Sequence, residues 1–413
     1  MMTTEQERAL RLATEAGHIL LENGAEISRV EDTMKQICTA YGVEDESFFV
    51  LSNGIIATGQ HYARAEFIPI KGTQLSKVVE INQLSRDVGA GDCTLDEMER
   101  RLHVVRSAKG KPWWELVAGI ALGVAFFCIL FGGSLLDAAA TFVCGLLLGM
   151  YMAFVSPHLS RLMGNLVGGL VGGLLCIAAY RLASATLHLP NMIIGTIIAM
   201  VPGVPFTNGM RDLANEDYIA GTTRLTDAFL AFLCIALGVA LALIVDGWIN
   251  GGLMQLGVPT VDAVASAWYI QLPAAFLGTV GFAALFGTPR RYYVDCGLAG
   301  TAGWAVFLAA GSPLVAFSVV GAAFLGALTV ALLSYFQARL RRCPVTVFLI
   351  CGIIPLVPGG GIFWTAYHLV CNHLSLAAAT GFIALKVTIA IAGGIILVAG
   401  IYNKVFKTKH RNG

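Results

Sequence analysis

Two stretches put unusual chemistry inside apolar surroundings. "MVPGVPFTNGMRDL" (Met200–Leu213) sets Pro202, Gly203 and Pro205 in a run that otherwise reads as a membrane helix, then adds Thr207, Asn208, Arg211 and Asp212. "LVPGGGIFW" (Leu356–Trp364) repeats the Val-Pro-Gly core with Pro358, Gly359, Gly360 and Gly361, preceded by Pro355. A proline lacks the backbone N–H and clashes with the preceding turn, so Pro202, Pro205, Pro355 and Pro358 are expected to unwind their helices. Glycine permits the irregular backbone that results. Exposed peptide groups at membrane depth are tolerated only where protein buries them or a polar cavity receives them. Half-helices starting there would aim N–H groups at an anion such as a carboxylate. The substrate-binding candidates are therefore Pro202, Gly203, Thr207, Asn208, Arg211, Pro358, Gly359, Gly360 and Trp364, with Thr365 and His368 nearby.

Ionisable residues in apolar runs form the second group. Each costs several kcal/mol unless paired or hydrated. Asp137, Asp227 and Lys386 fall within predicted spans, and Asp212, Asp246 and Asp295 fall near span ends. Lys386, in "GFIALKVTIAIAG", is too deep to snorkel and needs a partner; Asp227, in the corresponding span of the other half, is the first candidate. Such a pair could switch with a proton, clamp an anion or only fix helix packing, and Asp212, Asp227, Asp295 and Lys386 are the coupling candidates. "GNLVGGLVGGLL" spaces Gly164, Gly168 and Gly172 by four, a face that lets another helix approach closely.

Other chemistries find little support. The ten cysteines are scattered without a C-x-x-C pair or a Cys/His cluster, so they read as small buried hydrophobes; no metal or cofactor is expected. Glu26, Ser28, Arg29, Glu31 and Asp32 cluster in the manner of a hydrolase site, but Ser28-x-x-Glu31 has capping-box spacing and no Ser/His/Asp set accompanies it. The chain is read as not an enzyme.

The elements that carry these residues follow from composition. The chain has 413 residues, 56% hydrophobic and 13% charged, which excludes a soluble globule for most of it. A net charge of +1 gives no argument for nucleic acid. Residues 1–110 are water-compatible and lack a signal-peptide pattern, so they are expected to stay cytosolic. Helices are predicted over 3–23, 28–41, 75–86 and 94–106, the last capped by Thr94, with short strands in "SFFVLSNGIIATG" and "AEFIPI": a small cytosolic α/β domain.

"RSAKGKPWW" marks the membrane edge. Downstream, at about 20 residues per crossing, some ten helices fit. The predicted spans are 113–131, 135–155, 162–180, 190–210, 225–245, 267–286, 294–310, 313–336, 345–370 and 376–401. Arg161; Arg211 and Arg224; Arg290 and Arg291; and Arg339, Arg341 and Arg342 all fall in loops on one side, with Lys404, Lys407, Lys409 and Arg411 in the tail, and the opposite loops hold no basic residue except Arg181 at the edge of the third span. By the positive-inside rule both ends are cytosolic. Phe131 to Val201 spans 70 residues and Phe286 to Val357 spans 71, suggesting homologous halves at 111–250 and 251–413. Five spans per half is odd, so the halves would be inverted. The expected fold is thus an α-helical polytopic membrane protein of ten spans in two five-helix inverted repeats, an architecture of secondary transporters.

"ENGAEISRVEDTMKQICTAYG", "FFVLSNGI", "MVPGVPFTNGMRDL", "GTPRRYYVDCGLAG" and "CGIIPLVPGGGIFW" together resemble the bacterial threonine/serine exporter family, in its fused form, over nearly the whole chain. In that family the two parts also occur as separate proteins, one such pair being linked to succinate export. The matching motif residues are Glu26, Arg29 and Glu31; Pro202, Asn208, Arg211 and Asp212; and Pro358 and Gly359. The second half departs from the first, with Trp364, Tyr367 and His368 where the first has Asn208, Arg211 and Asp212. The resemblance implies export of threonine or serine across the inner membrane, driven by protons or the membrane potential, with a dicarboxylate as the alternative substrate. Its partners would be that small molecule, protons and the bilayer; a homo-oligomer and a sensing role for the cytosolic domain are compatible with it.

Overall fold

The computed structural model describes residues 4–43, 46–59, 62–69, 72–183, 187–252, 267–402 and 404. Lys407, Lys409 and Arg411 of the basic tail lie outside the described residues.

The N-terminal unit packs four helices, α1 (Thr4–Glu22), α2 (Ile27–Ala40), α3 (Leu75–Gly89) and α4 (Leu95–Ser107), with an antiparallel meander of β1 (Ser47–Leu51), β2 (Gly54–Gly59) and β3 (Tyr62–Phe67). Period-two alternation turns Phe48, Val50, Ile55 and Ala57 inward onto Leu10, Ile19 and Met34, while Phe49 and Ile56 stay exposed. Phe49 pairs with Ile56 in register across the hairpin. Thr94 caps α4 as expected, accepting from the Glu97 N–H at 3.3 Å. The capping box expected at Ser28 does not form. Helix α2 starts one residue earlier, with Glu26 at its N-cap and no side-chain cap, because the Glu26 carboxylate is turned to arginines and the Ser28 hydroxyl accepts from Asn215 instead.

Among the described residues, eight helices are long and apolar enough to cross a membrane: α5 (Trp113–Leu130), α6 (Leu135–Phe154, extended by a short turn to His158), α7 (Arg161–Leu182), α10 (Tyr218–Asn250), α11 (Trp268–Leu285), α12 (Tyr293–Gly311), α13 (Val319–Arg341) and α16 (Leu374–Tyr402). Two further apolar pairs are bent: α8 (Leu189–Ile197) with α9 (Gly203–Ala214) by 60°, and α14 (Thr346–Ile353) with α15 (Gly359–Val370) by 47°. The chain is a multi-pass membrane protein, with eight to ten candidate spans among the described residues.

The tightest helix contact uses a different glycine face from the expected one. Gly164, Gly168 and Gly172 face Ser156, Met200 and Thr196 side chains. The neighbouring face, Gly169 and Gly173, meets α10, where a Cβ on Gly238 would lie 2.1 Å from the Leu166 carbonyl oxygen. Such backbone contact needs glycine, since a methyl there would push two helices apart. Gly238→Ala should therefore destabilise the protein by about 1–3 kcal/mol. Gly172→Ala, whose Cβ would sit an ordinary 3.4 Å from Thr196, should be near neutral; thermal unfolding of the two purified variants compares the faces directly.

Candidate functional site

The two breaks are built alike, bond for bond. In the first, a 3-10 turn at Ile198–Met200 ends with Val201 N–H donating to the Ile198 carbonyl at 3.1 Å; in the second, Val357 donates to Ile354 at the same distance. Pro202 and Pro358 then adopt φ −76° with ψ 59° and 54°, the centre of an inverse γ-turn. The turn is closed by Gly203 N–H to Val201 O at 2.8 Å and by Gly359 N–H to Val357 O at 2.7 Å. Proline suits this position because its ring already holds φ near the required value. Pro205 does not unwind its helix, because it sits in the first turn of α9, where its missing N–H has no intrahelical partner to lose; Pro355 sits in the 3-10 turn where α14 ends.

The breaks also face each other reciprocally. A Cβ on Gly203 would come 2.6 Å from Ile354 Cδ1, and one on Gly359 would come 3.1 Å from Ile198 Cδ1. Each glycine thus receives an isoleucine from the opposite 3-10 turn. The first N–H of each half-helix is used inside its γ-turn, and Ile194 lies over Gly360, so apolar side chains border the breaks.

The polar residues after the first break point elsewhere, into the N-terminal unit. Asn208 donates to the Gly24 carbonyl at 2.6 Å, and Asn215 donates to Ser28 at 3.0 Å. Asp212 accepts from the Ile27 N–H at 3.1 Å and from Arg224 at 2.7 Å, while Arg224 also donates to the Ala25 carbonyl at 2.9 Å. Arg211 forms an ion pair with Glu26, which Arg29 approaches at 3.5 Å. The Glu26, Arg211, Asp212 and Arg224 side chains are 2%, 7%, 0% and 3% exposed. Such buried charges persist only when paired, as Glu26 is with Arg211 and Asp212 with Arg224; the second pair is also hydrogen-bonded. Thr207 is buried too, and its hydroxyl makes no hydrogen bond among the described residues.

A second contact fixes the other edge of the unit. Leu75 and Ser76 at the start of α3 donate their N–H groups to the Phe286 and Gly287 carbonyls at the end of α11, both at 3.0 Å. Donors that a helix start leaves without partners thereby meet carbonyls that a helix end leaves without partners. Between the unit and the spans lies a cavity of about 380 Å³, lined by Glu26, Arg29, Asp32, Arg86, Arg211 and Arg339 with Ser28, Asn215, Tyr335 and Tyr402. Glu31 lies on α2 beyond that lining; burial pushes its carboxyl up, Lys35 opposes the shift and Asp217 adds to it.

The remaining predicted charges do not join this cluster. Asp227 is exposed and faces Arg161 at 3.4 Å, not Lys386. Lys386 lies on the exposed face of α16 with its ammonium 4.8 Å from the Phe382 ring. The expected pairing fails because the two residues sit on outward faces of helices that do not bring them together. Asp295 pairs with Arg341 at 3.1 Å, Asp246 with Arg181 at 2.7 Å, and Asp137 caps α6 and holds His188. Trp364, half-buried, joins an aromatic cluster with Phe363, Tyr367 and His368, so α15 offers rings where α9 offers charges.

Sequence reasoning used Arg224 only for topology and passed over Arg86 and Tyr335. The signal for Arg224 was its position after a polar stretch that turns out to be helix: α10 begins at Tyr218, seven residues ahead of the predicted 225.

Residues 11–245 match the family described as "Putative threonine/serine exporter", and residues 271–401 match the one described as "Threonine/Serine exporter, ThrE". The chain belongs to the threonine/serine exporter family. As a member, it carries both membrane parts in one polypeptide. It is similar to a "Probable threonine/serine exporter" of Mycobacterium tuberculosis, at 24% identity over 94% of this chain and 75% of that protein. It is also similar to the "Probable succinate transporter subunit YjjP" of Escherichia coli, at 25% identity over 60% of this chain and all of that protein. A "Pheromone-regulated membrane protein 10" of Yarrowia lipolytica is 22% identical over 83% of this chain but only 29% of its own length. No solved structure matches the chain.

Proposed function

We propose that this membrane transporter is a secondary active exporter of threonine or serine, working by alternating access about its two Val-Pro-Gly breaks. The observation that carries the reading is the reciprocal crossing, Gly203 under Ile354 and Gly359 under Ile198, between breaks of equal backbone geometry. Equivalent breaks meeting near a midplane are what two inverted five-helix repeats, 111–250 and 251–413, would produce, following a separate domain at 1–110. Arg211, Arg224 and Arg339 all lie towards the N-terminal unit, which supports a cytosolic unit in the inner membrane's orientation.

In this reading the solute passes at the breaks, where Thr207 and Trp364 are the nearest polar side chains on the two post-break helices. The driving force is a proton gradient or the membrane potential. Asp212, buried between Arg224 and the Ile27 amide, is better placed than the exposed Asp227 to sense a change in charge.

The test is efflux of preloaded radiolabelled threonine, serine and succinate from proteoliposomes, with and without an imposed pH gradient. Gradient-stimulated efflux of threonine and serine is expected, and folded protein that moves neither would overturn the assignment. A dicarboxylate is the second reading, favoured by four arginines facing two carboxylates in the cavity and by the name of the Escherichia coli relative. Succinate efflux faster than threonine efflux would decide for it.

A further inference from the structure

Three buried oxygens gather where α12 and α13 meet, and none has a hydrogen-bond partner among the described residues. They are Oδ2 of the Asp295 carboxylate, Oε1 of the Gln337 amide and the Ser334 hydroxyl, on residues 7%, 5% and 0% exposed. Gln337 Nε2 donates to the Asp295 backbone carbonyl at 2.9 Å, which sets the amide alongside the first turn of α12. Ser334 stands three residues earlier on α13, on the same face and one turn away. Leaving one such atom unpaired is costly, and native proteins hold few of them, so three in one place ask for a shared partner.

Arg341 does not use up the carboxylate. Its Nε and Nη2 both reach Oδ1, at 3.3 and 3.1 Å, from a side chain 49% exposed. It holds one oxygen and leaves the other, buried one.

We propose that Asp295, Gln337 and Ser334 form a binding site for a sodium-sized monovalent cation. Carboxylate, amide and hydroxyl oxygens are the ligands that hard cations take. A single carboxylate that also serves Arg341 is too little charge for a divalent ion, and among the described residues no group of three or more His, Cys, Asp or Glu is placed to hold one. An anion is disfavoured, because the trio offers only the hydroxyl as a donor.

The place gives the ion a lever. Two turns further along these helices, Cβ atoms on Gly303 and Gly326 would lie 3.7 and 3.1 Å from Leu356 Cδ1, in the 3-10 turn of the second break. An ion tying α12 to α13 stiffens the helix pair against which that break packs. The site goes beyond the transport reading and stands whichever solute is exported.

Binding of radiolabelled sodium to the purified full-length protein in nanodiscs, at constant ionic strength made up with choline, tests this. Saturable binding is expected. Asp295→Asn should weaken it by about tenfold or more and Ser334→Ala by about three- to tenfold, the scale of losing a charged or a neutral polar partner. Arg341→Gln should tighten it by removing the cation that competes for the same carboxylate. Asp227→Asn, whose carboxylate is exposed on another helix, should change nothing. Ser334→Ala decides the matter if Asp295→Asn does not fold, since deleting an unpartnered hydroxyl breaks no hydrogen bond. The proposal is overturned by the absence of saturable binding, the result if a buried water alone bridges the three oxygens. It is equally overturned by full binding in Ser334→Ala or in folded Asp295→Asn, or by binding that Arg341→Gln weakens or that Asp227→Asn weakens as much as Asp295→Asn does. Efflux from proteoliposomes is a separate readout: sodium binding without efflux keeps the site and rejects the exporter, and efflux without sodium binding does the reverse.

Discussion

Replacing Asp212 with alanine is expected to destabilise the protein by about 3–5 kcal/mol, the usual consequence of stranding one partner of a buried ion pair. The variant leaves the buried Arg224 guanidinium with the Ala25 carbonyl as its remaining hydrogen-bond acceptor among the described residues, and it also strips the acceptor from the Ile27 N–H at the start of α2. Both losses fall on the joint between α9 and the N-terminal unit. The unit should therefore loosen before the membrane helices unfold, visible as faster proteolysis near residues 24–28 and as a lower first unfolding transition in detergent. Asp227→Ala is the matched control. Its pair with Arg161 is exposed on both sides at 3.4 Å, and such pairs contribute about 0–1 kcal/mol. If Asp212→Ala cost no more than Asp227→Ala, the joint would not depend on this ion pair.

The contrast between these two aspartates marks the boundary of what the sequence made legible. Hydropathy and length located the spans because a bilayer imposes both, and the two broken segments announced themselves through proline chemistry that acts on its own backbone. Glu26, Arg29, Arg211 and Asp212 were singled out as motif residues, and they do assemble, although at the junction with the N-terminal unit rather than around the breaks.

Pairing across helices was not legible. Asp227 and Lys386 both fall in predicted spans, yet a single chain carries no information on which helix faces turn together. The glycine register failed for a related reason. Gly164, Gly168 and Gly172 share one face and Gly169 and Gly173 the next, both spaced by four, and only the position of Gly238 on α10 decides which face meets backbone. Arg224 was hidden by "YIAGTTRLTD", whose threonines and charges read as loop until the N-terminal unit is present to bury that side of the helix.

Gly203→Val is expected to lower threonine efflux by about tenfold or more while leaving the protein folded. A Cβ at Gly203 would lie 2.6 Å from Ile354 Cδ1, so alanine would be met by a small movement of that side chain, whereas valine adds two methyl groups against the same neighbour. Overpacking of this kind costs about 1–3 kcal/mol. If the two breaks separate during transport, that penalty acts on the crossed arrangement alone and shifts the balance between the alternating states by about 5- to 150-fold. The clash has a single partner, which makes the argument reversible: Ile354→Ala in the same chain removes the obstructing atoms and should restore most of the flux. The other crossing predicts the same pattern in weaker form, because Gly359 keeps 3.1 Å from Ile198, so Gly359→Val should slow efflux less and Ile198→Ala should relieve it. Proteoliposome efflux, normalised to protein that elutes as a folded species, reads all five chains. Wild-type efflux from Gly203→Val, or a Gly203→Val defect that Ile354→Ala does not relieve, would mean that the facing of the two breaks is packing alone and that transport does not pass through their separation.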